Sequence, residues 1–236
     1  MQPTSSPVPR HIGIILDGNR RFAKRLMIKP WKGHEWGAKK VEQLLLWCEE
    51  YGIRELTLYA FSVENFDRPK KEFDYLMNLF KKEFDTLKED KRIYEKKIRI
   101  NVIGRLNMFP DDVRKRMEDI MESTKHHDNR IINFAMAYGG RAEVIDATKK
   151  IAEDVKKGKL KIEDINETSF ADRLYMKDDV DLLIRTSESR LSGFLPWQTV
   201  YTEIIFLPYK FWPEFEKQDF AACIEEYQRR QRRFGK

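Results

Sequence analysis

Cysteine is scarce: Cys48 and Cys223 are the only two in 236 residues. One sits inside an amphipathic helical pattern and the other near the end, so neither a disulfide framework nor a cysteine-built metal site is indicated. A reducing, cytoplasmic setting is the expectation. No apolar stretch approaches the roughly 18 to 20 residues that would span a bilayer, which leaves peripheral contact as the only membrane role. The opening MQPTSSPVPR lacks the charged and then apolar plan of an export signal, and its prolines read as an irregular lead over residues 1–10. Internal repeats, low-complexity blocks and long linkers are missing as well, so one domain over residues 11–236 is expected. There is no Walker loop with its Gly-Lys-Ser/Thr end, and no dinucleotide fingerprint with three spaced glycines.

What is present is an ordinary globular composition, 41% hydrophobic and 12% aromatic, with 45 Lys and Arg against 39 Asp and Glu. The net charge of +6 points to anionic partners: nucleic acid, a membrane surface or small phosphorylated substrates. Composition does not choose among them. Short β-rich runs at 11–16, 56–61, 98–103, 132–138, 180–185 and 203–206 alternate with helical patterns. That alternation predicts an α/β fold with a mostly parallel six-stranded sheet flanked by helices. Val41, Leu44, Leu45 and Cys48 follow the spacing of one buried helical face, with Gly52 placed to stop the helix. Val144, Ile145, Thr148, Ile151 and Ala152 predict a second such face. The pairs Lys81-Lys82, Lys96-Lys97 and Lys156-Lys157 read as solvated surface.

Chemistry concentrates where the first strand ends, in Asp17-Gly18-Asn19-Arg20-Arg21. In an open α/β sheet ligands collect beyond the carboxyl ends of the strands, and a helix starting there offers free N–H groups to an anion. Gly18 permits close backbone approach, and the arginines add guanidinium forks suited to phosphate. Asp17 would repel such an anion unless a hard divalent cation lay between them, and Mg²⁺ characteristically combines one or two carboxylates with substrate phosphate. The competing reading makes Asp17 a helix cap and the arginines plain surface. Three further islands share this character: GHEWG with His34; YAFSVENFDRP with Ser62, Glu64, Asn65 and Arg68; and LLIRTSESRLSGFLPWQTVYTE with Arg185, Arg190, Ser192 and Glu203. Two anion pockets and a metal carboxylate describe a reaction between two phosphorylated substrates.

HIGIILDGNRRFA, GHEWGAKK, LTLYAFSVENFDRP, AYGGR, DLLIRTSESRLSGFLPWQTVYTEIIF and the closing RRFGK, in that order, together resemble the cis-prenyltransferase family from about His11 to Gly235. The resemblance implies an Mg²⁺-dependent transferase. It would condense an allylic diphosphate, farnesyl or geranylgeranyl, with successive isopentenyl diphosphates to give a long polyprenyl diphosphate of the undecaprenyl type. It implies Asp17 and Asn65 as catalytic residues, and Asp17 with Glu203 as metal ligands. Substrate binding is implied for Gly18, Asn19, Arg20, Arg21, Phe22, His34, Ser62, Glu64, Phe66 and Arg68 around the allylic diphosphate, and for Arg185, Arg190 and Ser192 around isopentenyl diphosphate. The tail Arg233-Phe234-Gly235 matches one that reaches across a homodimer to the second site, which implies substrate binding by Arg233 and Gly235. The proton acceptor stays open between released diphosphate and a loop residue near Ser62 and Asn65.

The stripe Phe73, Leu76, Met77, Phe80, Phe84 and Leu87, with Ile132, Phe134 and Met136, is either plain core or, as the family implies, the wall of an apolar tunnel. Several positions depart from the common bacterial pattern and lie nearer archaeal and eukaryotic members: Leu16, Arg20 and Phe22 in the first motif. Pro30 stands where an arginine is usual, leaving Lys29 or Lys32 to substitute, and RTSESRLS is one residue short, with Ser189 at a position that is histidine in some members. A noncatalytic scaffold subunit and a basic nucleic-acid-binding domain are the alternative functions. Retention of Asp17, Asn19, Arg21, Arg68, Arg185 and Arg190 favours a catalyst over a scaffold, and arginines gathered at strand ends instead of along one stripe favour no nucleic-acid partner.

Overall fold

The apolar runs do become strands, in a computed structural model that describes residues 8–230. They are β1 (His11–Ile15), β2 (Glu55–Ser62), β3 (Ile98–Ile103), β4 (Arg130–Tyr138), β5 (Leu182–Thr186) and β6 (Glu203–Leu207). They form one sheet in the order β3-β4-β2-β1-β5-β6, and every pairing is parallel. Parallel neighbours require crossovers, and helices supply most of them: α1 (Asn19–Arg25), α2 (Gly33–Glu50), α3 (Lys70–Glu89), α4 (Lys91–Glu95), α5 (Asp111–Thr124), α6 (Gly140–Lys156) and α7 (Glu167–Ala171), with α8 (Lys217–Arg229) after β6.

Helices and loops cover both faces of the sheet, which is why the central strands read as continuous apolar runs. All five residues of β1 are buried. Ile12 and Ile14 pack with Leu44 and Cys48 of α2 and Phe220 and Cys223 of α8, whereas Ile15 turns to Val180, Leu183 and Phe194. Both cysteines are free and buried. A third cluster joins α3 and α5 to β2, β3 and β4 through Leu76, Phe84, Val113 and Ile132.

The α2 face matches its sequence reading, with Leu44 and Cys48 buried and Val41 and Leu45 packed against them. The α6 face matches only in part, since Ile151 is buried as read. Gly140, Glu143, Ala147 and Ile151 are its buried positions, while Ile145 is half exposed and Thr148 and Ala152 face solvent. The close approach of Gly193 and Pro196 leaves no room for a Cβ at Gly140, at the start of this helix.

Strand order reverses at β1: β2 lies on one side of it and β5 on the other. The carboxyl ends of β1 and β5 therefore meet at a switch point, the place where a parallel sheet opens a crevice.

Candidate active site

Asp17 hangs directly beyond β1, with its backbone tied down on several sides. Its N–H donates to the Ile15 carbonyl at 2.9 Å, and its carbonyl accepts from Trp212 N at 2.9 Å, Thr186 Oγ1 at 2.7 Å and Ser187 Oγ at 3.2 Å. The side chain accepts from the N–H of Gly18 at 2.6 Å. Gly18 has φ +105°, and a Cβ there would run into Ser187 and Phe211, so glycine is required by backbone conformation and by space. The helix that follows has only seven residues. Most positive charge in the crevice therefore comes from side chains.

Arg185, at the end of β5, is 3% exposed and joins two groups of residues. Its Nη2 donates to Asp17 Oδ2 at 2.9 Å. Its Nη1 donates to Ser192 Oγ at 2.7 Å and to the carbonyl of Arg190. Its Nε is buried without a hydrogen-bond partner among the described residues, an expensive arrangement for a guanidinium unless a ligand is to be met there. Arg21 approaches the same Asp17 at 3.2 Å. Glu188 then sits between the arginines of the two halves, accepting from Arg21 Nη1 at 2.7 Å and from Arg190 Nη1 at 2.8 Å. Both arginines are well exposed, so these pairs are weak and an anion can displace them.

The opposite wall comes from α2 and α3. Arg68 Nη1 lies 3.3 Å from His34 Nε2. Arginine has donors only, which fixes Nε2 as acceptor and puts the imidazole proton on Nδ1. Burial, helped by the charges of Arg68 and Arg20, pulls the His34 pKa down from 6.5 to about 3, so the ring is neutral at working pH. Burial likewise lowers the Arg68 pKa, opposed by Glu72. Glu72 is 2% exposed, pairs with Arg68, and has Arg20 Nε at 3.5 Å. Ser62 and Asn65 close a short turn, with Asn65 Oδ1 accepting from the Ser62 N–H at 3.2 Å.

Asp17, Gly18, Asn19, Arg20, Arg21, His34, Ser62, Glu64, Asn65, Arg68, Arg185 and Ser192 all line one cavity of about 950 Å³; Arg190 does not line it but is linked to Arg21 through Glu188. Four expected residues are placed elsewhere or lie outside the described range. Phe22 is buried edge-on to Trp36 at 5.7 Å, and Phe66 packs among Phe61, Phe73 and Phe109. The tail residues Arg233 and Gly235 fall outside the described residues. Glu203 is a fifth departure: it begins β6, at the amino edge of the sheet, where it pairs with Arg230 at 2.9 Å, and parallel pairing puts that edge away from Asp17. Lys24, rather than Lys29 or Lys32, reaches the cavity wall. Sequence reading overlooked Glu72 and Glu188. The signals were there, a carboxylate four residues after Arg68 on a helix and one between Arg185 and Arg190.

From this polar mouth the cavity runs between α2 and α3. Salt bridges Lys81–Asp112, Asp85–Arg116 and Lys88–Asp119 hold α3 to α5, which leaves its other side free to line the space. Phe80, Phe84, Leu87, Ile132, Phe134 and Met136 border it and Phe73, Leu76 and Met77 do not, while Phe84, Ile132 and Met136 belong with Leu76 and Met77 to one buried core cluster. Glu49, Lys96 and Arg130 border the lining at the amino edge of the sheet. Among the described residues no three His, Cys, Asp or Glu side chains gather into a ready-made metal site, and no helix is long and apolar enough to cross a membrane.

Comparison with known proteins gives a consistent picture. A family described as putative undecaprenyl diphosphate synthase matches residues 15–235. The tritrans,polycis-undecaprenyl-diphosphate synthase (geranylgeranyl-diphosphate specific) of Thermococcus kodakarensis is 48% identical over 98% of this chain and 89% of that protein. The protein of the same name from Pyrococcus horikoshii is 49% identical with the same coverage. Among solved structures, lavandulyl diphosphate synthase from Lavandula x intermedia, in complex with dimethylallyl diphosphate, superposes with a TM-score of 0.90 at 32% identity, over 97% of this chain and 99% of that one. A probable undecaprenyl diphosphate synthase from Campylobacter jejuni gives 0.79 at 34% identity, over 98% and 100%.

Proposed function

Because the chain belongs to the undecaprenyl diphosphate synthase family of cis-prenyltransferases, and so joins an allylic diphosphate to isopentenyl diphosphate, we propose a division of labour within its site. Asp17, Gly18, Asn19, Arg20, Arg21, His34 and Arg68 receive the allylic primer. Arg185, Arg190 and Ser192 receive isopentenyl diphosphate beside it. The observation that carries this reading is the span of Arg185, whose single guanidinium touches Asp17 on one side and Ser192 on the other. Two diphosphates held within one side chain of each other have their reacting carbons brought together, and that proximity is itself a large part of the rate.

Asp17 fits Mg²⁺, which takes one or two protein carboxylates and completes its shell with phosphate and water, so a single half-buried carboxylate at the cavity wall suits an ion that arrives with the diphosphate. When bound, the ion would neutralise charge on the leaving diphosphate. Arg21 and Arg68 oppose the same growing charge as the allylic C–O bond breaks. Neutral His34, its proton on Nδ1, adds a donor without adding charge. The isopentenyl double bond then attacks the allylic carbon and a proton must leave. Asn65 is an amide and no base near neutral pH, so it orients the turn while a diphosphate oxygen accepts the proton.

The lengthening chain enters the apolar part of the cavity, which serves as a tunnel; Phe80, Phe84 and Phe134 supply its wall. Geranylgeranyl diphosphate is the primer and an undecaprenyl-type diphosphate the product, a reading supported by the names of the relatives. A homodimer completes the assembly, on the strength of the Arg233-Phe234-Gly235 tail. Exposed Leu26, Met27 and Trp36 support peripheral contact with a membrane that takes up the product.

Labelled isopentenyl diphosphate offered with competing primers tests the substrate assignment. Geranylgeranyl diphosphate should be used with kcat/KM about tenfold or more above farnesyl diphosphate, the order expected when one apolar segment distinguishes two ligands. Equal use, or preference for farnesyl diphosphate, would reject this primer.

A further inference from the structure

The AYGGR stretch, Ala137–Arg141, has no part in the chemistry described so far. It contacts the loop between β5 and β6, which carries Arg190 and Ser192. That loop is held in an unfavourable shape: Ser187, Ser192 and Leu195 have φ of 70°, 48° and 47°, a region costly for residues with a Cβ. Something must over-determine it.

The corner between β4 and α6 does so. Gly140 N–H donates to the Gly193 carbonyl at 2.9 Å, and a Cβ on Gly140 would collide with Gly193 and Pro196. Phe194 stacks on Tyr59 with ring centroids 4.7 Å apart. Deepest in the contact is Glu143, fully buried. Its Oε1 accepts from Gln198 Nε2 at 3.2 Å and from the Tyr175 N–H at 2.9 Å, and Tyr138 donates its hydroxyl to Oε2. Gln198 also donates to the Met176 carbonyl at 2.6 Å. A buried carboxylate satisfied only by hydrogen bonds tolerates few geometries, so it fixes the position of whatever donates to it.

We propose that Glu143, through Gln198, is a positioning residue for the isopentenyl diphosphate half of the site: it holds the loop so that Ser192 and the Arg190 carbonyl meet Arg185. The inference rests on the reading that Arg190 and Ser192 bind that substrate. Glu143 itself touches neither diphosphate, and its effect is carried by the loop.

Steady-state kinetics on full-length Glu143→Gln and Gln198→Ala, with Arg190→Ala as reference and melting curves for each, test it. Gln198→Ala should raise the KM for isopentenyl diphosphate about tenfold, since small displacements of a binding group are costly, while the KM for the allylic primer stays within about twofold. Glu143→Gln, which keeps the shape and some of the acceptors, should move the same KM in the same direction by less. If both variants lose kcat with both KM values unchanged, or melt early with unaltered kinetics, the role is merely structural and the proposal is wrong. If Arg190→Ala raises the isopentenyl KM and neither other variant does, the positioning role alone fails. If Arg190→Ala leaves that KM unmoved, the substrate assignment fails and the inference with it.

Discussion

His34 is uncharged where a surface histidine would begin to protonate. Its pKa stands at about 3 in the folded chain against 6.5 ordinarily, so between those values the unfolded chain binds a proton that the native one does not. Stability must therefore rise with pH across that window and level off above it. The urea midpoint of the parent protein should drop more between pH 7 and pH 5 than that of His34→Gln; parallel curves would mean that the ring protonates in the native state. Residues whose chemistry is explicit in their type were legible in the sequence: Asp17, Arg21, Arg68, Arg185 and Ser192 all meet at one mouth. Phe22 and Phe66 were less so, because an aromatic beside a motif is as readily core as ligand wall, and only packing decides. Glu72 and Glu188 were missed because a carboxylate among arginines looks like surface salt until its burial or its span is seen.

At the scale of elements, α6 separates what periodicity can tell from what it cannot. The six strands and most crossovers followed from alternation alone, since a fully covered parallel sheet writes itself as apolar runs. On α6 the same rule rightly chose Ile151 but also chose Ile145 and Thr148, where the inward positions are Glu143 and Ala147. The loop it meets lies so near that Gly140 has no room for a Cβ, and two of the donors to the core-facing carboxylate, Tyr175 and Gln198, come from distant sequence. Ala147, 1% exposed, should resist enlargement: Ala147→Leu should destabilise by about 1–3 kcal/mol through overpacking. Thr148→Ala should stay within about 0.5 kcal/mol of the parent, as exposed positions do. Urea unfolding measures both, and the reverse order would restore the face that periodicity picked. On α3 the apolar stripe was legible but its division was not, because one helix serves the core with Leu76 and Met77 and the cavity with Phe80 and Leu87.

Over the whole molecule, the features come together at the switch point between β1 and β5. The sheet brings Asp17 and Arg185 side by side from positions far apart in sequence, and the cavity they border extends between α2 and α3. Arg20, Arg21, Arg68 and Arg185 converge on this mouth, where two diphosphates must be held against their mutual repulsion. The account stands or falls on Asp17 as the carboxylate through which a divalent cation reaches the primer. The direct measurement is the rate at which purified parent and Asp17→Asn proteins convert geranylgeranyl diphosphate and labelled isopentenyl diphosphate into lipid-extractable product at saturating Mg²⁺, with melting curves alongside. The expected result is a rate about a hundred- to a thousandfold lower in the variant at unchanged fold, the loss typical of removing one transition-state stabiliser. An Asp17→Asn protein that works at close to the parental rate would contradict it.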